Sequence, residues 1–263
     1  MSKVADIISA MEKRYPSASA ELWDAVGLVT GNPNNDVDTV LFTVDPTEVV
    51  LDQAKEIGAQ MIVAHHPLIL KGVSSVAEST RKGQIISHLI KADIALFTIH
   101  TNADVATPGV SDALAKTLGV EVDGPIEQVT MLGRIGNLPR AMTLADFAAQ
   151  VLDALPKTSR GINVAGDLAS RISRVAVCGG AGDSLLELIG KLDADVYVTS
   201  DLRYHLTEEF VNSTGKALID ISHWAGEWTW LDQAAKLLSQ DLGGTLKTHV
   251  SGIVTDPWTL SIK

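Results

Sequence analysis

Short apolar runs alternate along the chain with segments in which apolar residues recur every three or four positions. The runs predict buried strands and the periodic segments predict amphipathic helices, so the alternation indicates an α/β fold. The predicted strands cover 40–44, 61–64, 94–99, 175–178, 196–199, 217–221 and 246–251. The predicted helices cover 4–14, 48–57, 85–90, 112–118, 144–155, 184–192 and 227–238.

Two cycles of strand and helix follow one another with nearly the same spacing. Val40 begins a strand 21 positions before Met61, and Val175 begins a strand 21 positions before Val196. Because both pairs are offset by 135 positions, we predict a duplicated α/β unit. The sequence identity between the two cycles is weak, so a chance match is the alternative.

Composition narrows the class of protein. The chain has 263 residues, of which 46% are hydrophobic and 20% charged, as is usual for a soluble globular protein. Its net charge of −11 argues against broad binding to nucleic acid. The single cysteine, Cys178, excludes an intramolecular disulfide and fits a reducing compartment. No stretch resembles a signal peptide or a membrane span, so the predicted location is cytoplasmic.

Two adjacent histidines, His65 and His66, stand where an apolar run meets Pro67. Within a strand, neighbouring side chains point to opposite faces, so adjacent imidazoles could not share a site. At the end of a strand they can, because Pro67 keeps His66 extended and ends the hydrogen-bonded ladder. Ligands bind at the carboxyl edge of open α/β sheets. We therefore predict a metal site at this edge.

Other imidazoles and carboxylates also follow predicted strands, and His100 lies among them as a candidate for proton transfer. The predicted metal ligands are His65, His66, Asp104, His223 and Glu227. Three imidazoles and two carboxylates are too many for one catalytic zinc, and they suit two cations about 3.5–4 Å apart. The nitrogen and oxygen donors fit Zn, Fe, Mn, Co or Ni without choosing between them.

The remaining candidates have plainer interpretations. His88 lies in a helical pattern and His249 in a strand pattern, which favours structural roles for both. His205 follows a predicted strand end, so a role in proton transfer stays open beside a structural one. The glycine-rich stretch 179–183 lacks the lysine and hydroxyl residue of a phosphate-binding loop, and a tight turn explains it better.

Six motifs make the chain resemble the NIF3-like family, which is also labelled GTP cyclohydrolase 1 type 2 homologue. They lie, in matching order, at 23–28, 64–68, 100–104, 195–202, 222–227 and 255–258. The resemblance implies two similar, intertwined α/β halves with mixed sheets, assembled into a toroidal homohexamer with a dinuclear metal centre. It implies the same five ligands as the spacing does. Ala25, Ala103 and Ser200 depart from the usual residues of the family without removing a ligand.

With this resemblance, we predict a first half at 1–125 plus 228–263 and a second half at 126–227, with the metal site in the cleft between them. The leading hypothesis is a metal-dependent hydrolase in which two divalent cations activate a water and His100 or His205 transfers a proton. The resemblance suggests a nucleotide or related heterocycle as substrate, with ring opening of GTP as the inherited label. The alternative is a non-catalytic metal-binding scaffold or regulatory interaction protein. The expected partners are further copies of the chain, without a membrane and without nucleic acid.

Overall fold

The apolar runs of the sequence form the strands of the protein, whose computed structural model describes residues 2–262. The strands are β1 (Ser2–Lys3), β2 (Gly27–Thr30), β3 (Asp36–Val37), β4 (Thr39–Thr43), β5 (Met61–Ala64), β6 (Ala95–Thr98), β7 (Glu121–Gly124), β8 (Arg134–Thr143), β9 (Asn163–Ala165), β10 (Arg171–Ala181), β11 (Val196–Ser200), β12 (Ala217–Ile221) and β13 (Lys247–Val250). The helices are α1 (Val4–Arg14), α2 (Glu48–Glu56), α3 (Arg81–Lys91), α4 (Thr101–Asp104), α5 (Val110–Thr117), α6 (Leu144–Ala154), α7 (Leu186–Lys191), α8 (Tyr204–Thr214) and α9 (His223–Asp241). Between residues 2 and 262, no helix combines the length and apolar character needed to cross a membrane.

The described residues divide into two compact units. Unit 1 contains the residues up to Ala106 together with Leu231–Thr255. Unit 2 contains Thr107–Trp230 and the residues from Asp256 onwards. The chain therefore leaves unit 1, builds most of unit 2, returns to unit 1 at Leu231 and crosses to unit 2 again at Asp256, so the two units are interleaved along the chain.

Unit 1 is built on a mixed sheet with the strand order β13-β4-β5-β6-β2. The first four of these strands run parallel, and β2 joins the edge in the antiparallel direction. Every residue of β4, β5 and β6 is buried, and Leu41, Ile62 and Leu96 of these strands share one core with α2 and α3. Because the carboxyl ends of parallel strands meet at one edge, the residues that follow β4, β5 and β6 lie at the same edge.

Unit 2 is built on a second mixed sheet with the strand order β7-β8-β10-β11-β12-β9. Its central strands β10, β11 and β12 run parallel, and the outer strands join them in the antiparallel direction. The fully buried Tyr197 of β11 shares a core with Leu186 of α7 and Phe210 of α8. Asp201 directly follows β11, and His223 follows β12 after one residue, so both stand at the carboxyl edge of this sheet.

The predicted α/β class with mixed sheets is confirmed, and most predicted elements form within a few residues of their predicted bounds. The parallel pairs of the two units have matching registers. Val40 pairs with Met61 in unit 1, and Val175 pairs with Val196 in unit 2. These registers agree with the spacing that suggested a duplicated unit, and the duplication itself stays a prediction.

Helix α9 begins at His223, four residues earlier than the sequence predicted. The prediction started the helix late because Gly226 has a low helix propensity. A Cβ at position 226 would lie 3.0 Å from Cδ1 of Ile221, so any side chain there would have to displace the end of the Ile221 side chain. The strands β1, β2, β3, β7, β8 and β9 and the helices α4 and α8 are missing from the prediction. The edge strands β2, β7 and β9 contain no buried residue, so they gave no signal of a buried strand.

Arg134 is a buried charge in unit 2, with only 2% of its surface exposed. Its guanidinium donates two hydrogen bonds to the Asp112 carboxylate, at 2.8 and 2.7 Å, and others to Thr107 and to backbone carbonyls. Asp112→Ala removes the counter-ion of a buried charge, so we expect the free energy of unfolding in urea to fall by about 3 kcal/mol or more. Glu187→Ala breaks an exposed pair with Lys191 in the same unit and should leave the unfolding midpoint unchanged. Equal midpoints for the two variants would contradict this prediction.

Candidate metal-binding groups

Three imidazoles meet at the carboxyl edge of the unit 1 sheet. His65 and His66 follow β5, and His100 lies between β6 and α4. One potential ligand nitrogen of each ring lies within 4.8 Å of those of the other two. The ring centroids of His65 and His66 are 5.2 Å apart, and that of His100 lies 5.3 and 5.6 Å from them. We call these three residues the imidazole group, and its spacing could hold a metal ion.

The hydrogen bonds between β5 and β4 continue past the end of β5 to the two adjacent histidines. The backbone N–H of His65 donates to the carbonyl of Thr43 at 3.0 Å, and that of His66 donates to the carbonyl of Val44 at 2.8 Å. Pro67 comes next, and it has no N–H with which to continue the ladder. The two imidazoles are therefore held by ordered backbone at the point where the strand stops.

His65 is fully buried, and the tautomer of its neutral ring follows from its contacts. Its Nδ1 lies 2.9 Å from the backbone carbonyl of Ile99, which can only accept a hydrogen bond. Nδ1 of the neutral ring therefore carries the proton, and Nε2 presents a lone pair. An Asp104 Oδ1 atom lies 3.7 Å from this Nε2, so a nitrogen and an oxygen donor face each other.

His66 and His100 have carboxylates at the same ring position. Nδ1 of His66 lies 2.8 Å from Oδ1 of Asp45, whose other oxygen accepts a hydrogen bond from Thr255. Nδ1 of His100 lies 2.8 Å from Oδ1 of Asp24. Histidines that bind metals commonly donate their second ring N–H to a carboxylate or a carbonyl, which fixes the tautomer and raises the basicity of the ligand nitrogen. All three members of the imidazole group therefore have the environment of metal ligands.

The Asp24 side chain is fully buried and is held by more than His100. It accepts hydrogen bonds from the backbone N–H groups of Ala25 and Thr101 and from the Thr101 hydroxyl. Burial alone would raise the pKa of the Asp24 carboxyl, yet the hydrogen bonds from Thr101 and His100 outweigh it and lower this pKa below its usual range. Asn102 adds a further restraint, because its side-chain oxygen accepts the backbone N–H of His100 at 2.9 Å.

Burial and the neighbouring His65 lower the pKa of His100 to about 4, although Asp24 acts in the opposite direction. His100 is therefore neutral above about pH 5 in the metal-free chain. Since Nδ1 faces Asp24, the neutral ring has its lone pair on Nε2. His100 can then accept a proton or bind a cation at that nitrogen.

Unit 2 contributes an imidazole and a carboxylate from the first turn of α9. Nε2 of His223 lies 2.8 Å from Oε1 of Glu227, and its Nδ1 lies 2.6 Å from Oδ2 of Asp201. The charge of Glu227 raises the pKa of His223 to about 11, against the effect of burial, and Asp201 adds to the rise. In the metal-free chain His223 is therefore protonated at neutral pH. The pair offers one nitrogen and one buried carboxylate to a cation that replaces this proton.

Gly180 leaves space beside this pair. Its backbone is in the left-handed region with φ +74°, and a Cβ at this position would lie 2.9 Å from Oε1 of Glu227 and 3.7 Å from Nε2 of His223. Any side chain would therefore fill the space in front of the two donor atoms. The donor set and this space fit a divalent cation.

The structure brings together His65, His66, His100 and Asp104 in unit 1, and His223 with Glu227 in unit 2. His205 lies on the exposed side of α8, where its ring packs edge to face on Tyr204, with centroids 5.2 Å apart. Its suggested role in proton transfer stays a prediction. His88 and His249 are exposed, on α3 and β13 respectively.

Sequence reasoning missed the three carboxylates that lie against the Nδ1 atoms of the imidazoles, which are Asp24, Asp45 and Asp201. Asp45 and Asp201 each follow the carboxyl end of a parallel strand, which is the same signal that identified the histidines. Asp24 lies in the loop before β2 and carried no signal besides its place in a motif. Gly180, in the stretch interpreted as a tight turn, instead belongs to the last part of β10.

Comparison with known proteins gives one consistent family. The sequence model of the family described as Duf34/NIF3 (NGG1p interacting factor 3) matches residues 2–257. A Streptomyces coelicolor protein named GTP cyclohydrolase 1 type 2 homolog is 43% identical, with 100% of this chain and 95% of that protein covered. A Clostridium perfringens protein of the same name is 31% identical over 97% of this chain and 98% of its own length. The crystal structure of a Bacillus cereus protein related to NIF3 matches with a TM-score of 0.88 and 26% identity over 99% of both chains.

Proposed function

Because this chain belongs to the Duf34/NIF3 family, we propose that it is a dinuclear metal-dependent hydrolase acting on a nucleotide or a related heterocycle. The observation that carries the proposal is the set of hydrogen-bond contacts at the Nδ1 atoms of the imidazole group. Each of its rings has an acceptor at Nδ1, which leaves Nε2 as the donor atom for a cation. The proposed ligands are His65, His66, Asp104, His223 and Glu227.

The proposal joins donors from both units in one centre, as the sequence resemblance implies. Together they supply three nitrogens and two carboxylates, enough for two cations that share a carboxylate. When bound, two such cations polarise the substrate and lower the pKa of a water. Glu227 or Asp104 is the proposed shared carboxylate. His100 is the proposed proton acceptor, because its Nε2 is neutral and its ring is held by Asp24.

The substrate class in this proposal comes from the names of the relatives, GTP cyclohydrolase 1 type 2 homolog. Assembly into a homohexamer and a cytoplasmic location are also part of the proposal, on the resemblance alone. The net charge of −11 gives little support to a triphosphate as the preferred ligand, so the test includes bases and nucleosides beside nucleotides.

The test combines metal analysis with turnover. Protein purified without added metal should contain about two equivalents of transition metal per chain. Metal-loaded protein should hydrolyse at least one member of a panel of purine and pyrimidine bases, nucleosides and nucleotides. His65→Ala should lose this activity, and the exposed His88→Ala should keep it. Equal turnover by the His65→Ala variant, or none by any of the three proteins, would reject the hydrolase for that panel.

A second candidate is a metal-binding scaffold without catalysis. One observation favours it: Leu70, Val73 and Val76 are exposed apolar side chains on the segment between β5 and α3. Such side chains suit contact with another protein surface. Two metal equivalents together with no turnover over the panel would favour the scaffold over the hydrolase.

Gly180→Ala should weaken cation binding without unfolding the protein. The added Cβ would stand 2.9 Å from Oε1 of Glu227, so the carboxylate must move, and we expect the cation affinity to fall by about tenfold or more. Gly161→Ala is the matched control, because Gly161 also has a left-handed backbone, φ +64°, but has nothing within 4 Å of the new Cβ. Calorimetric titration with Zn²⁺ or Mn²⁺ measures the difference. Equal affinities for the two variants would show that position 180 does not contact the cation site.

A further inference from the structure

We propose that Trp23 is the side chain on which the planar ring of the substrate stacks, an inference that rests on the proposed function. Trp23 is 59% exposed, although it belongs to a bulky apolar residue type. Its indole lies edge to face with the ring of His100, with centroids 6.0 Å apart and planes at 80°. His100 belongs to the imidazole group, so the exposed indole stands one ring away from the proposed metal ligands.

Trp23 lies in a loop whose backbone is fixed by hydrogen bonds on both sides of the indole. The next residue, Asp24, has a fully buried side chain with four hydrogen bonds. Before it, the backbone N–H of Glu21 donates to the Thr101 hydroxyl at 3.0 Å, and the N–H of Asp24 donates to the carbonyl of Glu21 at 3.0 Å. The backbone on both sides of Trp23 is therefore fixed, and the indole is presented to solvent at a defined place.

An anchored, exposed indole suits a flat heterocycle better than a flexible or strongly charged ligand. Aromatic side chains bind bases through their π-faces, and this stacking needs no particular pattern of hydrogen bonds. The neighbouring Leu22 is also fully exposed, which extends the apolar surface beside the indole. Glu21 adds a negative charge two positions before Trp23, which disfavours a phosphate near the indole. Trp23 therefore selects for the ring of the substrate, whereas the proposed metal ligands would hold the cations that polarise it.

The experiment uses guanosine as the probe, because it has a purine ring and no phosphate. In the full metal-loaded chain labelled with ¹⁵N, the indole N–H signal that disappears in Trp23→Phe belongs to Trp23. Guanosine should shift this signal, and ribose should not. Equilibrium dialysis should give a dissociation constant for guanosine that is about tenfold or more higher in Trp23→Ala, and Trp23→Phe should recover part of the loss.

Trp258→Ala is the matched control, since Trp258 is a similarly exposed tryptophan, 61% exposed, in unit 2. It should bind guanosine as the unaltered chain does. A Trp23 signal that does not move with guanosine, or a dissociation constant within twofold of the original in Trp23→Ala, would overturn the proposal.

The outcome for Trp23 can be separated from the outcome for the hydrolase. Guanosine binding that depends on Trp23, without turnover of any panel member, would support the stacking role and reject the hydrolase. Turnover of a heterocycle with an unchanged KM in Trp23→Ala would support the hydrolase and reject the stacking role. Loss of kcat with an unchanged KM in Trp23→Ala would also reject stacking, because a ring-binding residue should act mainly on KM.

Discussion

Glu227→Gln is expected to reduce the metal content of the purified protein from about two equivalents per chain to almost none. The substitution keeps the size of a side chain that is only 2% exposed, so it leaves no cavity. It removes the negative charge and one of the two oxygens with which a carboxylate can bridge a pair of cations. If Glu227 bridges, both cations lose a ligand together. Elemental analysis of the variant, purified beside the original chain, measures the loss.

Glu208→Gln is the control, because Glu208 is an exposed glutamate of the same unit. It should retain the full metal content. The complementary variant, His65→Ala, removes a ligand from unit 1 and should also lower the total to well below one equivalent if the centre is shared. One equivalent left in each of the two variants would instead mean two independent sites, one in each unit, and would contradict the dinuclear centre.

The positions of the imidazoles could be predicted because residues next to them in the sequence determine where each strand ends. A proline after an apolar run stops a strand, and His65 and His66 stand at that stop. The parallel topology then adds His100, because all strand ends of a parallel sheet meet at one edge. The spacing of apolar residues and the position of Pro67 are enough to infer both the end of the strand and the parallel topology. The same reasoning located His223, and only the start of its helix was predicted four residues late.

The pairing of carboxylates with these rings could not be predicted in this way, although Asp45 and Asp201 themselves stand at strand ends. The contact between His100 and Asp24 joins residues 76 positions apart, and that between His223 and Asp201 joins residues 22 apart. Which oxygen meets which nitrogen depends on side-chain packing between elements, and no periodicity encodes it. The role of Gly180 was equally hidden from the sequence. It leaves open the space beside Glu227, since a Cβ at this position would lie 2.9 Å from Oε1 of Glu227.

Asp24→Asn is expected to lower turnover by roughly 10–100-fold while the metal content stays near two equivalents. Both carboxylate oxygens of Asp24 accept a backbone N–H, one from Ala25 and one from Thr101. An asparagine must therefore turn its NH₂ group towards one of these donors. If the NH₂ group takes the place of Oδ1, it also donates to Nδ1 of His100, which moves the ring proton to Nε2 and removes the proposed proton acceptor.

Long-range ¹H–¹⁵N spectra of the histidine side chains distinguish this effect from simple damage to the fold. In the unaltered metal-free chain, His100 should show a protonated Nδ1 and a bare Nε2 above about pH 5, since its pKa lies at about 4. The exchange of the two signals in Asp24→Asn would mark the change of tautomer. Asp195→Asn is the control, because Asp195 accepts backbone N–H groups of Ser173 and Arg174 and contacts no histidine through the hydrogen bonds described for it. If Asp24→Asn keeps the original pattern of His100 signals and still loses turnover, the carboxylate acts by some route other than the tautomer of His100.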